Sequence, residues 1–409
     1  MEKATDEGVE EDAYFKKLVS LEYQGQVLRF RVAQALFSSF QVDLGTRLLL
    51  RSLADAGSEA FREILDLGCG YGPIGLALKK ADERRVVHLV DRDALAVEYS
   101  RQNAALNQLS GVEVYGSLGY DDVPARDFDL IVSNIPGKAG ERAIAHFLLD
   151  AMHWLKPDGL VAIVLVASLE PAVTGIFGQA PNVEVVFRKA GSGHVVLHYH
   201  FVDSGAAPAM PESAMERGVF DRMQTTVDFQ GVRYLLRSAY NLPEFDSPGF
   251  RSTLLMEALQ ELCGSQFRRA LVFNPGQGHV PVVLWRLLRP GRVRLVDRDL
   301  LSLRYSEANL ILNECPGDAV TLSHQVGVGA KGGEQADLIA GVLREEEGPE
   351  GIWLTVAQAA EQLAPDGTIL VAGSSTAATR LVKRLNAQKL LRVAERKRRR
   401  GNGLLVLRH

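Results

Sequence analysis

The chain has 409 residues, more than one hydrophobic core usually serves, so two domains are expected. Hydrophobic residues make up 46% and charged residues 23%, a globular composition, and the formal net charge of −4 excludes a global basic field; any nucleic-acid binding must come from a local patch. Cys69, Cys263 and Cys315 have neither disulfide-framework nor metal-ligand spacing. They read as free thiols in a reducing cytosol, so a cytoplasmic protein without a metal is expected.

In chain order, residues 1–12 are acidic and polar and read as a disordered tail, not a signal peptide, and no apolar run is long enough to span a bilayer. The run EILDL from Glu63 reads as a buried strand, and residues 72–80 as a helix. A second strand is expected over 86–90. Asp93 is a plausible N-cap for a helix over 94–106. Further strands are expected over 128–133 and 160–166, and two runs around Val185 and Val195, split by a Gly-containing turn, suggest a closing antiparallel hairpin. Strand–helix alternation of this kind argues an α/β fold with a mostly parallel sheet.

The pattern is then repeated. VDRDALAVEYSRQNAALN from Val90 and VDRDLLSLRYSEANLILN from Val296 share ten of eighteen positions, among them Asp91/Asp297, Tyr99/Tyr305 and Asn107/Asn313. Tyr23-Gln24-Gly25 is echoed by Phe229-Gln230-Gly231, and Leu155–Gly159 by Leu363–Gly367. Residues 204–218, rich in Ala, Pro, Ser and Gly, read as a linker. The expected organisation is therefore a tail over 1–12, one domain over 13–203, a linker over 204–218 and a second domain over 219–409.

In the first copy, DLGCGYGPIG from Asp66 places Gly68, Gly70 and Gly72 between a strand and a helix, where backbone and ligand can approach closely. Asp91 ends the next strand, where a carboxylate can accept both hydroxyls of a ribose. Gly70-x-Gly72-x-x-Gly75 also matches the dinucleotide fingerprint of dehydrogenases. Asp66 argues against that reading, because a carboxylate there repels a pyrophosphate and favours a cationic ligand. The strand over 128–133 runs into Asn134-Ile135-Pro136, which a dehydrogenase does not require.

The set Asp66-x-Gly-x-Gly-x-Gly72, Asp91 and Asn134-Ile-Pro136 resembles the class I S-adenosylmethionine-dependent methyltransferases. The upstream run FSSFQVDLGTRLLL from Phe37 resembles the segment preceding the core in the small-domain methyltransferase superfamily, which includes tandem ribosomal RNA guanine-N2 methyltransferases with one degenerate copy. The resemblance implies two tandem Rossmann-like methyltransferase domains, each a mostly parallel sheet ending in an antiparallel hairpin. It implies S-adenosylmethionine as cofactor, with Asp66, Gly68, Cys69, Gly70 and Gly72 at its methionine end, Asp91 at its ribose, and Gly45 and Thr46 closing over it. Ser117 stands where the family often has an acidic residue near the adenine.

For catalysis, an exocyclic amino group needs its hydrogens held so that the nitrogen lone pair meets the methyl group. Asn134 and a backbone carbonyl near Ile135 can accept those hydrogens, and Pro136 can stiffen the loop. Gly137 stands where the family has a stacking aromatic, and Lys138 behind it could meet a phosphate or an acidic substrate. Set side by side, the copies place Asn274 opposite Asp66, Val280 opposite Gly72 and Val342 opposite Asn134, so the second copy reads as degenerate and Asp297 as a remnant. Its one dense charge run, Arg396-Lys397-Arg398-Arg399-Arg400, is a candidate phosphate-binding finger at the tip of its final hairpin. The expected activity is an S-adenosylmethionine-dependent N-methyltransferase acting on RNA, with ribosomal RNA or the ribosomal particle as partner. The alternatives are a methyltransferase for a small molecule or protein side chain, and a non-catalytic cofactor- or RNA-binding module.

Overall fold

A computed structural model describes residues 12–36, 41–57, 60–124, 127–202, 210–329 and 334–409. The first copy opens with a hairpin of β1 (Phe15–Tyr23) and β2 (Gln26–Ala33), followed by α1 (Leu44–Asp55). The core then runs β3 (Glu63–Leu67), α2 (Pro73–Ala81), β4 (Val86–Asp91), α3 (Ala94–Leu106), β5 (Val112–Gly116), β6 (Phe128–Asn134), α4 (Glu141–Leu149), β7 (Leu155–Val166), α5 (Glu170–Gly178), β8 (Val183–Gly191) and β9 (His194–Phe201). Its sheet has the order β5-β4-β3-β6-β7-β9-β8, parallel up to β7 and antiparallel in the last two strands. The strand order reverses beside β3, so the loop after β3 and the end of β4 lie at the switch point where α/β sheets bind ligands.

The second copy repeats this: hairpin β10 (Asp221–Phe229) and β11 (Val232–Ala239), then α6 (Phe250–Glu261), β12 (Arg269–Phe273), α7 (His279–Leu288), β13 (Arg292–Asp297), α8 (Leu300–Leu312), β14 (Val320–His324), β15 (Ala336–Val342), α9 (Gly348–Glu361), β16 (Leu363–Ser374), α10 (Ser375–Gln388), β17 (Arg392–Arg399) and β18 (Asn402–Arg408). Its sheet order, β14-β13-β12-β15-β16-β18-β17, is the same topology. The helix expected over 94–106 has those bounds, and the Asp93 carboxylate caps it by accepting the Leu95 N–H at 3.0 Å.

The repeated residues have local reasons. Asn103 accepts the Arg31 N–H at 2.7 Å and donates to the carbonyls of Arg31 and Tyr71; Asn309 does the same with Arg237 and Gln277. Asn107 and Asn313 likewise bracket Arg29 and Leu235. These amides fasten α3 and α8 to the N-terminal hairpin of their own copy. Tyr99 and Tyr305 donate to Asp12 and Asp221, which also take Arg31 and Arg237. Asp12 is thus a fixed part of the first domain, which corrects its assignment to the tail; residues 1–11 lie outside the described residues.

The VDRD segments themselves join the copies. Asp93 and Asp299 pair as an antiparallel bridge, the Ala94 N–H donates to the Arg298 carbonyl at 2.7 Å, and the Leu300 N–H donates to the Arg92 carbonyl at 2.9 Å. Arg92 pairs with Asp299 at 3.4 Å and Arg298 with Asp93 at 3.3 Å, so the contact is nearly twofold symmetric. His324 Nε2 lies 2.9 Å and 2.8 Å from the Arg92 and Arg298 carbonyls. Gly116 stands opposite it in the first copy, where a Cβ would sit 2.4 Å from the His324 ring. Leu301, Tyr305, Ala239 and Leu242 of the second copy join the apolar core of the first.

The expected linker is corrected as well. Residues 203–209 lie outside the described residues, but Ala214, Val219 and Phe220 are buried in the first copy's core. The Ala214 N–H donates to Asp121 at 2.8 Å, and Arg217 pairs with Asp150. From residue 210 the chain is a packed strap, held by apolar side chains among the prolines and alanines.

Arg298 answers two acids at the joint. Its side chain is 11% exposed and faces Asp93 and Glu347. Burial pushes the Asp93 carboxyl above its usual range and Glu347 up to about 7, with Arg298 the largest opposing charge on both. Replacing Arg298 by Ala strands two buried carboxylates, at an expected cost of about 3–5 kcal/mol at pH 8. A carboxyl whose folded pKa exceeds its unfolded value binds more protons when folded, so the loss should shrink as pH falls through about 7. Urea unfolding of both proteins at pH 8 and pH 6 checks this; an equal loss at both values would refute it.

Candidate active site

The β3–α2 loop is built on left-handed glycines: Gly68, Gly70 and Gly72 have φ of 72°, 58° and 89°. The N–H groups of Gly68 and Cys69 both donate to the Val90 carbonyl at 2.9 Å, which folds the loop over β4. The glycines divide in purpose. A Cβ on Gly68 or Gly70 would meet nothing within 4 Å, so these two border open space. One on Gly72 would lie 2.9–3.1 Å from Leu76, Leu89 and Ser100, and one on Gly75 3.0 Å from Asp66. Gly72 and Gly75 therefore bring α2 against the sheet. Cys69 points inward, 3.6 Å from the Ser100 hydroxyl, and burial pushes its thiol up.

Asp66 is fully buried. Its Oδ2 accepts the Gly75 N–H at 2.7 Å, while Oδ1 has no partner within the protein. Burial, with the charge of Asp91 adding to it, pushes this carboxyl up to about 7. An orphaned buried carboxylate oxygen destabilises the fold unless a donor or a cation answers it. The amino group of S-adenosylmethionine supplies both, so the loop fits that cofactor. Asp91 accepts the Gly70 N–H and the Asp93 N–H, both at 2.9 Å, which fixes its carboxylate at the end of β4, and burial raises its pKa. Ser117 is buried and turned to the Gly119 carbonyl at 2.7 Å.

Asn134 ends β6 and is half-buried. Its Nδ2 donates to Asp43 Oδ2 at 3.0 Å and to Thr46 Oγ1 at 3.4 Å. A carboxylate only accepts, so Asp43 fixes the orientation of the amide and leaves Oδ1 as an acceptor. Asp43 is also the N-cap of α1, accepting the Thr46 N–H at 3.2 Å. Gly45 fits tightly here: a Cβ would lie 2.8 Å from Asp43 and 2.9 Å from His194. The side chain of Ile135 is buried and its N–H donates to the Val164 carbonyl, so only its carbonyl can face a ligand. Pro136, Gly137 and Lys138 are exposed on the turn that follows. Asp43 is the residue the sequence reading passed over, although it stands within FSSFQVDLGTRLLL.

The register of the sheets corrects the alignment of the copies. Asp66 pairs with Leu89 and Val132, and Val272 pairs with the equivalent Leu295 and Ala340. Gly72 and Gly278 are the left-handed N-caps of α2 and α7. Asn274 thus stands opposite Gly68, and Val280 opposite Ile74; Val272 replaces Asp66, and the loop glycines Gly276 and Gly278 remain. Pro281, without an N–H, replaces Gly75, so the donor and acceptor of the Asp66–Gly75 bond are lost together. Val342 does stand opposite Asn134. Arg344, at the place of Pro136, donates to Asp297 Oδ1 at 2.6 Å. With Phe273, Asn274 and Glu347 it leaves a cavity of about 10 Å³, hardly room for one water. Asp297 is 1% exposed and also accepts from Ser302, so it is a structural anchor rather than an idle remnant.

The basic run lies in the final hairpin, along its outer strand as well as at its turn. Arg396, Lys397, Arg398 and Arg399 lie in edge strand β17, and Arg400 begins the turn. Alternation sends them to opposite faces. Lys397 pairs with Glu261 and Arg399 with Glu257 of α6, whereas Arg396 and Arg398 meet Thr379 of α10. The Arg400 guanidinium lies 5.2 Å from the Phe250 ring. Among the described residues no helix is long and apolar enough to cross a membrane, and no three His, Cys, Asp or Glu side chains are arranged to hold a metal ion.

The family model of the methyltransferase small domain matches residues 27–192. The uncharacterized protein YbxB of Bacillus subtilis is 34% identical over 151 residues, covering 37% of this chain and 74% of that protein. Ribosomal RNA small subunit methyltransferase C of Aeromonas hydrophila is 42% identical over 138 residues, 32% of this chain and 38% of that one. The enzyme of the same name from Haemophilus influenzae is 36% identical over 132 residues, again covering 38% of its length. The chain thus spans well under half of these two named relatives. Over its whole length the fold is similar to that of the Thermus thermophilus 16S rRNA N2 methyltransferase RsmC, solved with AdoMet and guanosine: TM-score 0.66, 18% identity, 96% of this chain and 98% of that one. With the loop of Asp66, the carboxylate of Asp91 and the matched span 27–192, the chain belongs to the methyltransferase small-domain family of S-adenosylmethionine-dependent enzymes.

Proposed function

We propose that this chain methylates the exocyclic N2 of a guanine in small-subunit ribosomal RNA, in the cytosol, using the first copy alone. The names of the relatives, the full-length likeness to RsmC and the amide held by Asp43 support this reading. S-adenosylmethionine supplies an electrophilic methyl group. The chain's own work is positioning. Asn134 Oδ1 and the Ile135 carbonyl accept the two amino hydrogens, which turns the nitrogen lone pair outward and stabilises positive charge developing on it. Asp43 and Thr46 hold Asn134 in place. Gly137 offers no aromatic surface, which favours the second reading, a small-molecule or protein acceptor. Labelled methyl donor incubated with ribosomal particles, protein and small-molecule fractions separates the two.

One donor per chain is expected, because Asp66 and its Gly75 partner have no equivalents at Val272 and Pro281, and Arg344 fills the second site. Calorimetry should give a stoichiometry of one; two equivalent sites would contradict it. Asp91→Ala should cost about 1.5–3 kcal/mol of donor affinity through lost charge-assisted bonds.

Donor affinity should depend on pH through Asp66. Its carboxyl, pushed up to about 7, must ionise to receive a cationic group. Affinity should therefore rise from pH 6 to 8 and fall about tenfold per unit well below 7. Asp66→Asn should flatten the profile; an unchanged slope in that variant would assign the dependence to another group.

Asn134→Ala should keep donor affinity and lose turnover on the order of 10²-fold, the effect of one preorganised polar group. Unchanged turnover would remove Asn134 from the mechanism.

A further inference from the structure

The charged side chains of the second copy separate into those already neutralised and those left over. On the α6 face of the sheet, Lys397 and Arg399 are answered by Glu261 and Glu257. On the opposite face, Arg396 and Arg398 converge on one neutral atom, the Thr379 hydroxyl, at 2.5 and 3.1 Å. That hydroxyl donates its own proton to the Ser375 carbonyl. Two guanidinium groups drawn to the same uncharged oxygen repel each other unless an anion lies between them. Thr379 also stands beside Arg380 and one helical turn before Lys383, both exposed on α10. None of these four cations has an ion-pair partner among the described residues. The nearby acids are spent: Glu350 takes Arg384 through both oxygens at 2.8 Å, and Glu395 pairs with Lys397. This excess sits on a chain of net charge −4, so it is local and not a by-product of composition.

We propose that Arg380, Lys383, Arg396 and Arg398 form a strip on α10 and β17 that takes the phosphodiester backbone of the RNA substrate. The strip rests on the RNA reading above and assigns the degenerate copy its part in it. Arginines two apart on a strand project side by side on one face, about 6.6 Å apart, and so can follow successive phosphates. Guanidinium forks suit phosphate oxygens, and such contacts fix position while reading no sequence. The edge position of β17 leaves the strip open to a long strand. The cofactor loop of the first copy shares no residue with it.

The test compares wild type with a variant carrying Arg380→Ser, Lys383→Ser, Arg396→Ser and Arg398→Ser, and with a control carrying Lys397→Ser and Arg399→Ser. The probe is transcribed small-subunit ribosomal RNA, bound at several salt concentrations, with donor affinity measured by calorimetry as a check on folding. Counterion release sets the slope of log affinity against log salt at about 0.7 per single-strand phosphate contact, so the strip variant should lose roughly 3 from that slope. The control should lose less than one, and donor affinity should stay within twofold in both. A strip variant with the wild-type slope overturns the strip and leaves the methyltransferase reading standing. Wild type that takes the donor but binds RNA with no salt dependence overturns the strip and the RNA reading together, and leaves the small-molecule or protein acceptor.

Discussion

The structure depends on one joint, the place where two copies of the same four residues meet. VDRD ends the second core strand of each copy and begins the following helix. The two segments exchange backbone hydrogen bonds, Ala94 to Arg298 and Leu300 to Arg92, and crossed ion pairs, Arg92 with Asp299 and Arg298 with Asp93. A near-symmetric contact of this kind constrains both partners alike. It keeps Arg and the second Asp in each copy, whatever happens to the chemistry beside them. The first Asp of each motif differs in its partners, since Asp91 accepts the Gly70 N–H of its loop whereas Asp297 takes Ser302 and Arg344. The Asp91 carboxylate is thus held two residues from the element that joins the domains.

The second copy lacks both members of the Asp66–Gly75 pair. Removing Asp66 alone would orphan the Gly75 N–H, and removing that N–H alone would orphan a buried carboxylate; either costs more than removing both. Val272 with Pro281 is the double removal. Asp297 accepts from Ser302 and the Asp299 N–H, and a buried charge without a ligand needs a counter-charge. Arg344 supplies it from the position of Pro136, and burial would lower its pKa if Asp297 and Glu347 did not hold it up. Gly341 in place of Ser133 makes room for the Phe273 ring, which would strike a Cβ there at 2.5 Å. The old site has become core.

The legible parts of the sequence were those where a local rule and the tertiary result agree. Asp93 before a helical run gave a helix with its observed ends, and alternating apolar runs gave the closing hairpin of the first copy. The loop glycines marked the turn after β3 because left-handed backbone lets the chain fold back onto β4 there. What failed needed neighbours that are distant in sequence. The two-residue slip between the copies arose because Asn274-Pro275 imitates the start of the glycine loop, and only the strand register fixes Val272 against Asp66. Asp43 is an ordinary N-cap by pattern; its hold on Asn134 is made 91 residues away. The run from Arg396 to Arg400 looks uniform on paper, while pleating and the acids of α6 divide it.

Charge, not apolar surface, then separates the roles of the two copies. In the first, one unanswered group is a carboxylate oxygen, Asp66 Oδ1, buried at the sheet's switch point and suited to one small cation. In the second, the equivalent acid is gone, the remaining one is neutralised internally, and the unanswered groups are cations spread along an open sheet edge. An enclosed carboxylate selects a compact positive ligand because desolvation makes the pairing strong. Exposed arginines and lysines select an extended polyanion because each contact is weak, screened and additive. The same fold, duplicated, therefore presents two complementary electrostatic problems in one chain. The joint through Arg298 and Asp93 is what connects the solution to one with the solution to the other.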